Sequence, residues 1–207
     1  MSTKPLPLDL IPSTRKITRI YRSLTPEQVK DGMNWYNVAH GLAIDLDPTN
    51  VLRAAGVISA FSIQNDWRDN VRLAQLAYAG TPGGHTKMVL GKVARIMAGE
   101  DVVTVLNAPK TTNFALTIAD PHDPHAVVID RHAFDIAVGR VTDDKTRDVL
   151  GRKGVYDQFA DAYRRAARII GISPSQMQAC TWVGWRETMI RTHKAVQREA
   201  GRVLVAA

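Results

Sequence analysis

Cysteine is almost missing from this chain. Cys180 is the single thiol in 207 residues, so no disulfide closes within the chain, and no cysteine-ligated zinc or iron–sulfur centre can be built from it. That thiol lies in an apolar stretch and reads as a buried side chain, and the scarcity suits a reducing cytoplasm. No stretch comes near the roughly 20 apolar residues that a membrane-spanning helix requires. The opening residues place prolines and Asp9 where a secretory signal would need an unbroken apolar core. The expectation is a cytoplasmic protein and not a membrane one. Internal repeats and low-complexity tracts are lacking too, and strand patterns are scarce, with one brief apolar run at 126–129.

What is present is the composition of a folded domain. With 45% hydrophobic and 23% charged residues the chain can bury a core, and its length favours one domain. Lysine and arginine number 27 against 20 acids, a formal charge of +7. The excess favours a polyanionic partner, nucleic acid ahead of an anionic membrane surface, although a charge of this size also serves plain solubility.

Residues 1–24 are basic and interrupted by proline, with Lys4, Arg15, Lys16, Arg19 and Arg22, and read as an extended arm ahead of a single helical domain over 25–207. Thr25-Pro-Glu-Gln28 is a capping box with proline at the first helical position, and the apolar stripe behind it predicts a helix over 26–46. Residues 51–61 are apolar nearly all round, as in a helix at the centre of a domain. Further helices are predicted over 66–79, 86–97, 110–118, 130–138, 155–170 and 173–203. A short helical or extended turn falls at 102–106 and a polar surface connection over 139–154. The fold class is all-α.

Three segments taken together resemble a known family. Pro109-Lys-Thr-Thr-Asn-Phe-Ala-Leu116 sets Lys-Thr-x-Asn on a helix after a short hairpin, and Val127-Val-Ile-Asp-Arg-His132 is an apolar dash ending in Asp-x-His at a helix start. Ile58-Ser-Ala-Phe-Ser-Ile-Gln64 is an apolar helix ending in Ser-x-Gln ahead of a polar one. Their order and settings are similar to the helix-hairpin-helix DNA glycosylase superfamily of the endonuclease III type, over residues 50–140 and by helix count beyond. The resemblance implies a glycosylase-like helical domain for DNA repair by base excision. Such a domain binds double-stranded DNA, flips out a base, and cleaves its glycosidic bond or modifies the nucleotide. Some phage relatives are proposed to modify bases with the same pocket, and a compact helical chain of this size suits a phage-encoded protein acting in its host cell.

The sequence departs from that family in two places. Val105-Leu-Asn-Ala-Pro109 stands where the family hairpin reads Leu-Pro-Gly-x-Gly. It therefore lacks the glycines that let backbone amides approach a phosphate, and Pro109 has no N–H to donate. The iron–sulfur loop is absent as well, so no cofactor is implied.

The resemblance places Lys110 and Asp130 at the reacting centre. Cleavage passes through an oxocarbenium-like sugar, and a carboxylate beside C1′, here Asp130, offsets the developing charge. Lys110, facing the same pocket, would attack C1′ and lead to a Schiff base. Each has a simpler reading: Asp130 as only the N-cap of its helix, Lys110 as a solvated first-turn cation. Gln64, Asn65 and Trp67 are candidates for the base pocket or for the side chain wedged into the gap left by a flipped nucleotide. Trp67 would stack on a base, while Gln64 serves equally well to satisfy neighbouring backbone. His132 belongs to the base pocket or is a structural hydrogen-bonding histidine. Lys87, Lys92, Arg95, Thr111 and Arg131 are candidate DNA-backbone contacts. Asp120-x-His122-Asp123-x-His125 has metal-ligand residue types, but its two prolines mark a turn, and no metal is assigned. Trp182 and Trp185 share a helix face and read as core or interface anchors. The alternative function keeps the fold as a catalytically inactive module that binds DNA or a protein partner, which the missing hairpin glycines favour.

Overall fold

In the computed structural model, which describes residues 5–205 with side chains through residue 189, the chain runs through eleven α-helices. They are α1 (Thr14–Arg22), α2 (Pro26–Leu46), α3 (Val51–Phe61), α4 (Trp67–Tyr78), α5 (Lys87–Met97), α6 (Val102–Leu106), α7 (Pro109–Ala119), α8 (Arg131–Val138), α9 (Asp144–Arg147), α10 (Val155–Ile170) and α11 (Pro174–Val205). No strand occurs among the described residues, and the chain is all-α. The helix starts follow their caps. Thr25, Asn50, Asp66, Thr86, Asp101 and Asp130 each accept the backbone N–H three residues on, and Gln28 returns a bond to Thr25 to close the capping box.

The buried apolar residues divide into two cores. The first is built from α2 to α7 around Ile58, Phe61, Leu73, Ile96 and Ile118; the second from α1, α8 and α10 around Ile17, Phe134, Phe159 and Tyr163. Two elements belong to both. Helix α11 gives Ala179 to the first core and Met177 to the second. The segment 126–129 gives Val128 to the first and Val127 and Ile129 to the second, the alternation an extended backbone imposes.

That segment is the brief strand-like run of the sequence, and side chains take the place of a partner strand. The Asn113 amide oxygen accepts from the Val127 N–H at 3.1 Å, while the Tyr156 hydroxyl accepts from the Ile129 N–H and donates to the Val127 carbonyl, each at 3.0 Å. Asn113 closes the Lys-Thr-x-Asn run. Its bond therefore ties the helix that carries Lys110 to the segment that leads into Asp130.

The expected extended arm is corrected over residues 14–22, which form α1. Ser13 caps the helix on the Lys16 N–H, and Ile17, Ile20 and Tyr21, on one face, pack on the second core. The basic residues obscured that stripe. Arg15, Arg19 and Arg22 are exposed, and the Lys16 ammonium donates to the Val138 carbonyl. Residues 1–4, Lys4 among them, lie outside the described residues.

Each core is braced by a buried carboxylate. Asp47 accepts from the Thr49 hydroxyl, the Asn50 N–H, the Arg53 Nε–H and the Tyr78 hydroxyl, joining α2, α3 and α4; the Arg53 bond above all holds its carboxyl down at about 2. Asp135 accepts from Thr142 and Arg147 and so pins the polar connection that contains α9. The cores are joined where α2 crosses α11. A methyl group on Gly32 would lie 2.3 Å from the Cys180 Cα. Cys180 is fully buried there, and burial pushes its thiol up to about 12.

Candidate functional site

A cleft of about 600 Å³ opens at the edge of the first core. One wall comes from α2 (Trp35, Tyr36), the loop 62–66 (Gln64, Asn65), α4 (Trp67, Asn70) and α7 (Lys110, Phe114). The other comes from the entry to α8 (Val128, Asp130, Arg131, His132) and from α11 (Gln178, Trp182, Arg186). Lys110 and Asp130 thus border one cavity, together with Gln64, Asn65, Trp67, Arg131 and His132.

Asp130 is both a helix cap and a cleft residue. Its Oδ1 accepts from the Ala133 N–H at 2.7 Å and its Oδ2 from the Trp182 Nε1–H at 3.1 Å. Two donors from different helices fix the carboxylate plane, and each oxygen keeps a lone pair for a further partner. His132, half-buried, stands edge-on to Trp182 with ring centroids 6.4 Å apart. Its pKa is lowered, chiefly by burial and further by Arg131 and Arg186, against the opposing pull of Asp130. Its Nε2 accepts from the Arg131 Nε–H at 3.3 Å, so the neutral ring carries its proton on Nδ1.

The first wall is aromatic. The Trp35 ring centroid lies 5.0 Å from that of Trp67, 6.0 Å from Phe114 and 6.2 Å from Trp182, and Trp67 and Phe114 are 6.4 Å apart. In a chain only 6% aromatic this is a marked concentration of planar surface. The Arg186 guanidinium lies over the Trp182 ring, 4.4 Å from its centroid. Tyr36 donates to the Gln178 Oε1 at 3.0 Å, a buried bond joining the two walls, and burial raises the Tyr36 phenol.

Two features of this wall are costly. Gln64 holds a left-handed backbone, φ 61°, which costs a residue with a Cβ roughly 1–2 kcal/mol. Asn70 is 2% exposed, and its side-chain oxygen is buried without a hydrogen-bond partner.

Of the expected DNA-backbone contacts, Thr111 is corrected, and the others have the following settings. Thr111 is buried and its hydroxyl donates to the Ala108 carbonyl. The Lys92 ammonium donates to the Leu106 carbonyl at 2.8 Å and reaches Asn107 Oδ1 at 3.4 Å, where it offsets the negative end of α6. Arg95 is paired with Glu100 through Nε and Nη2. Lys87 is exposed on α5 but does not border the cleft, whereas Arg131 does. The Asp120 and Asp123 carboxylates accept backbone N–H groups of residues 122, 125 and 126, the work of turn formers.

Sequence reasoning missed Trp35, Asn70, Trp182 and Arg186. Trp35 sits in the apolar stripe of α2 and looks like core, and Asn70 looks like the solvated face of a polar helix. Trp182 and Trp185 differ although they share a helix. Trp185 packs on the second core, while Trp182 borders the cleft. The four-residue spacing of Trp182 and Arg186 is the one available signal, since it stacks a cation on a ring.

A model described as a family of unknown function (DUF7178) matches residues 3–189, a span that takes in every cleft residue named above. No curated protein and no solved structure matches the chain.

Proposed function

The chain belongs to the DUF7178 family, and from its cleft we propose that it is a DNA-binding protein of helix-hairpin-helix glycosylase-like fold. It takes a nucleotide flipped out of duplex DNA and cleaves or modifies it. One observation carries this reading: Lys110 and a carboxylate fixed by two donors, Asp130, border one cavity walled by Trp35, Trp67, Phe114 and Trp182. The rings offer faces on which an extruded base stacks. Asp130 supplies the charge that stabilises an oxocarbenium-like sugar without reorganising as the reaction proceeds. Lys110, Arg131 and Arg186 add positive charge for the flanking phosphates. The two-residue turn between α6 and α7 is the hairpin of this reading, with Asn107 at φ 51° taking the left-handed conformation where glycine is usual.

The test incubates the protein with duplexes carrying uracil, oxidised, alkylated or hypermodified bases and scores abasic sites and borohydride-trapped adducts. Asp130→Asn keeps an oxygen for the Ala133 N–H and removes the charge. It is expected to lower cleavage by about 100- to 1,000-fold, and unchanged activity would overturn the mechanism. Lys110→Met abolishes the trapped adduct if the amine attacks C1′.

A second reading, a catalytically inactive module of the same fold that binds DNA or a protein partner, is favoured by the hairpin itself. Lys92 and Thr111 have their partners within the protein, and Pro109 offers no amide. Affinity measured against salt concentration tests it, because a flat response removes nucleic acid as the partner.

A further inference from the structure

We infer that Asn70 reads the edge of a heterocyclic base held in the cleft, an inference that rests on the nucleotide reading above and names the group that would select among bases. Asn70 lies on α4 three residues after Trp67, so both project on the same side of the helix. Both border the cleft. The backbone N–H of Asn70 is bonded to the Asp66 carbonyl, but its carboxamide oxygen, sealed from solvent, has no donor.

Buried polar groups of folded proteins almost always find a partner, and an apolar side chain at this place would avoid the desolvation cost. The other buried polar side chains at the cleft are satisfied. Tyr36 is bonded to Gln178, and the partly buried Asp130 also has a donor on each oxygen. The missing donor at Asn70 is therefore assigned to a ligand.

The chemistry of a carboxamide narrows that ligand. It presents an acceptor and an N–H donor side by side, which pair with an edge that carries an N–H beside a lone pair, the pattern of purine and pyrimidine edges. A phosphate offers no N–H to the amide oxygen and belongs instead with the cations at the cleft. A planar heterocycle lying on Trp67 would turn its edge toward Asn70, so stacking and reading come from one helix face.

The experiment follows tryptophan fluorescence as the full chain is titrated with 9-methyladenine, 9-methylguanine, 1-methylcytosine and 1-methyluracil, in which the nitrogen that bears the sugar in a nucleotide is blocked. Parallel titrations use N6,N6,9-trimethyladenine, 1,N2,N2,9-tetramethylguanine, 1,N4,N4-trimethylcytosine and 1,3-dimethyluracil, which have no N–H left, and indole, a stacking ring without the paired edge. At least one base is expected to quench saturably, its fully methylated counterpart to bind about 10-fold more weakly or worse, and Asn70→Leu to lose the base by a similar factor while keeping indole. Equal binding of a base and its fully methylated counterpart, or no change in Asn70→Leu, overturns the role of Asn70 and leaves the aromatic cleft standing. If neither bases nor indole bind, the nucleotide reading falls with it. Should Asn70→Leu not fold, the comparison of each base with its fully methylated counterpart on the unaltered chain decides the matter.

Discussion

The two walls of the cleft are built on opposite terms. On the wall of α8 and α11 the polar groups nearest the cavity have their partners inside the protein: Asp130 on both oxygens, His132 on Nε2, Gln178 through Tyr36. On the wall of α2, α4 and α7 the surface is aromatic, the loop carrying Gln64 is strained, and Asn70 lacks a donor. A group that stabilises charge works best when it need not move, whereas a group that selects a ligand needs free hydrogen-bonding capacity before the ligand arrives. In the proposed reading the fixed carboxylate serves the chemistry and the aromatic wall serves selection while also contributing Lys110, and at the cleft the strain and the unmet polarity lie on that aromatic wall; Trp185 Nε1 on α11, also buried without a partner, does not border the cleft.

The comparison depends on the walls facing each other, and the largest predicted effect tests that. At Gly32 a Cβ would meet the Cys180 Cα at 2.3 Å and its N at 2.6 Å, and backbone cannot swing aside as a side chain can. Gly32→Ala is expected to cost about 3 kcal/mol or more in urea unfolding, by overpacking the α2–α11 crossing. Gly91→Ala is the control, since its Cβ meets nothing within 4 Å on the exposed face of α5. There alanine is expected to stabilise by about 0.5–1 kcal/mol. A Gly32→Ala protein of unaltered stability would mean that the crossing yields and the walls are not held in register.

The next effect is smaller and opposite in sign. If the Asn70 oxygen is without a partner, Asn70→Leu removes a buried desolvation cost and should raise stability by about 1–2 kcal/mol in the same unfolding measurement. Loss of stability in Asn70→Leu and equally in the smaller Asn70→Val, where overpacking is not the cause, would show that the amide is satisfied in the free protein, and the contrast between the walls would weaken.

How much of this was legible beforehand follows the range of the interactions. Caps are local, and Thr25-Pro-Glu-Gln28 or Asn50 announces a helix start within four residues. Asp130 is local only by half. Its bond to Ala133 can be read from sequence, but its bond to Trp182 spans 52 positions and decides that the carboxylate is fixed at a cleft. Lys92 is bonded to a carbonyl 14 positions away, beyond local reading, whereas the Thr111 hydroxyl bonds the Ala108 carbonyl only three residues back, a local bond that the sequence reading passed over. In α1 the charged residues outweigh a three-residue apolar face, and only the second core shows that Ile17 is buried. Asn70 has no local signature at all, since an asparagine on a polar helix looks solvated until the fold buries it.

The smallest predicted effect concerns His132, on the satisfied wall, and its sign follows from burial. Desolvation holds its pKa below the ordinary value of 6.5, with Arg131 and Arg186 adding to the depression. Above that value folded and unfolded chains are both neutral at this position, and the stability of the neutral site is fully present. As the pH falls below it, the unfolded chain takes a proton that the folded site resists, so stability declines until the folded pKa is passed. Urea midpoints of the unaltered chain and of His132→Asn, measured from pH 7.5 to 5, should therefore draw closer or cross as the pH drops, by an amount attributable to this one histidine. A constant difference between the two would mean that protonation at His132 is indifferent to folding. The wall of α8 and α11 would then hold its carboxylate in a more solvated setting than its hydrogen bonds suggest, and the division between a fixed wall and a selecting wall would rest on Asp130 alone.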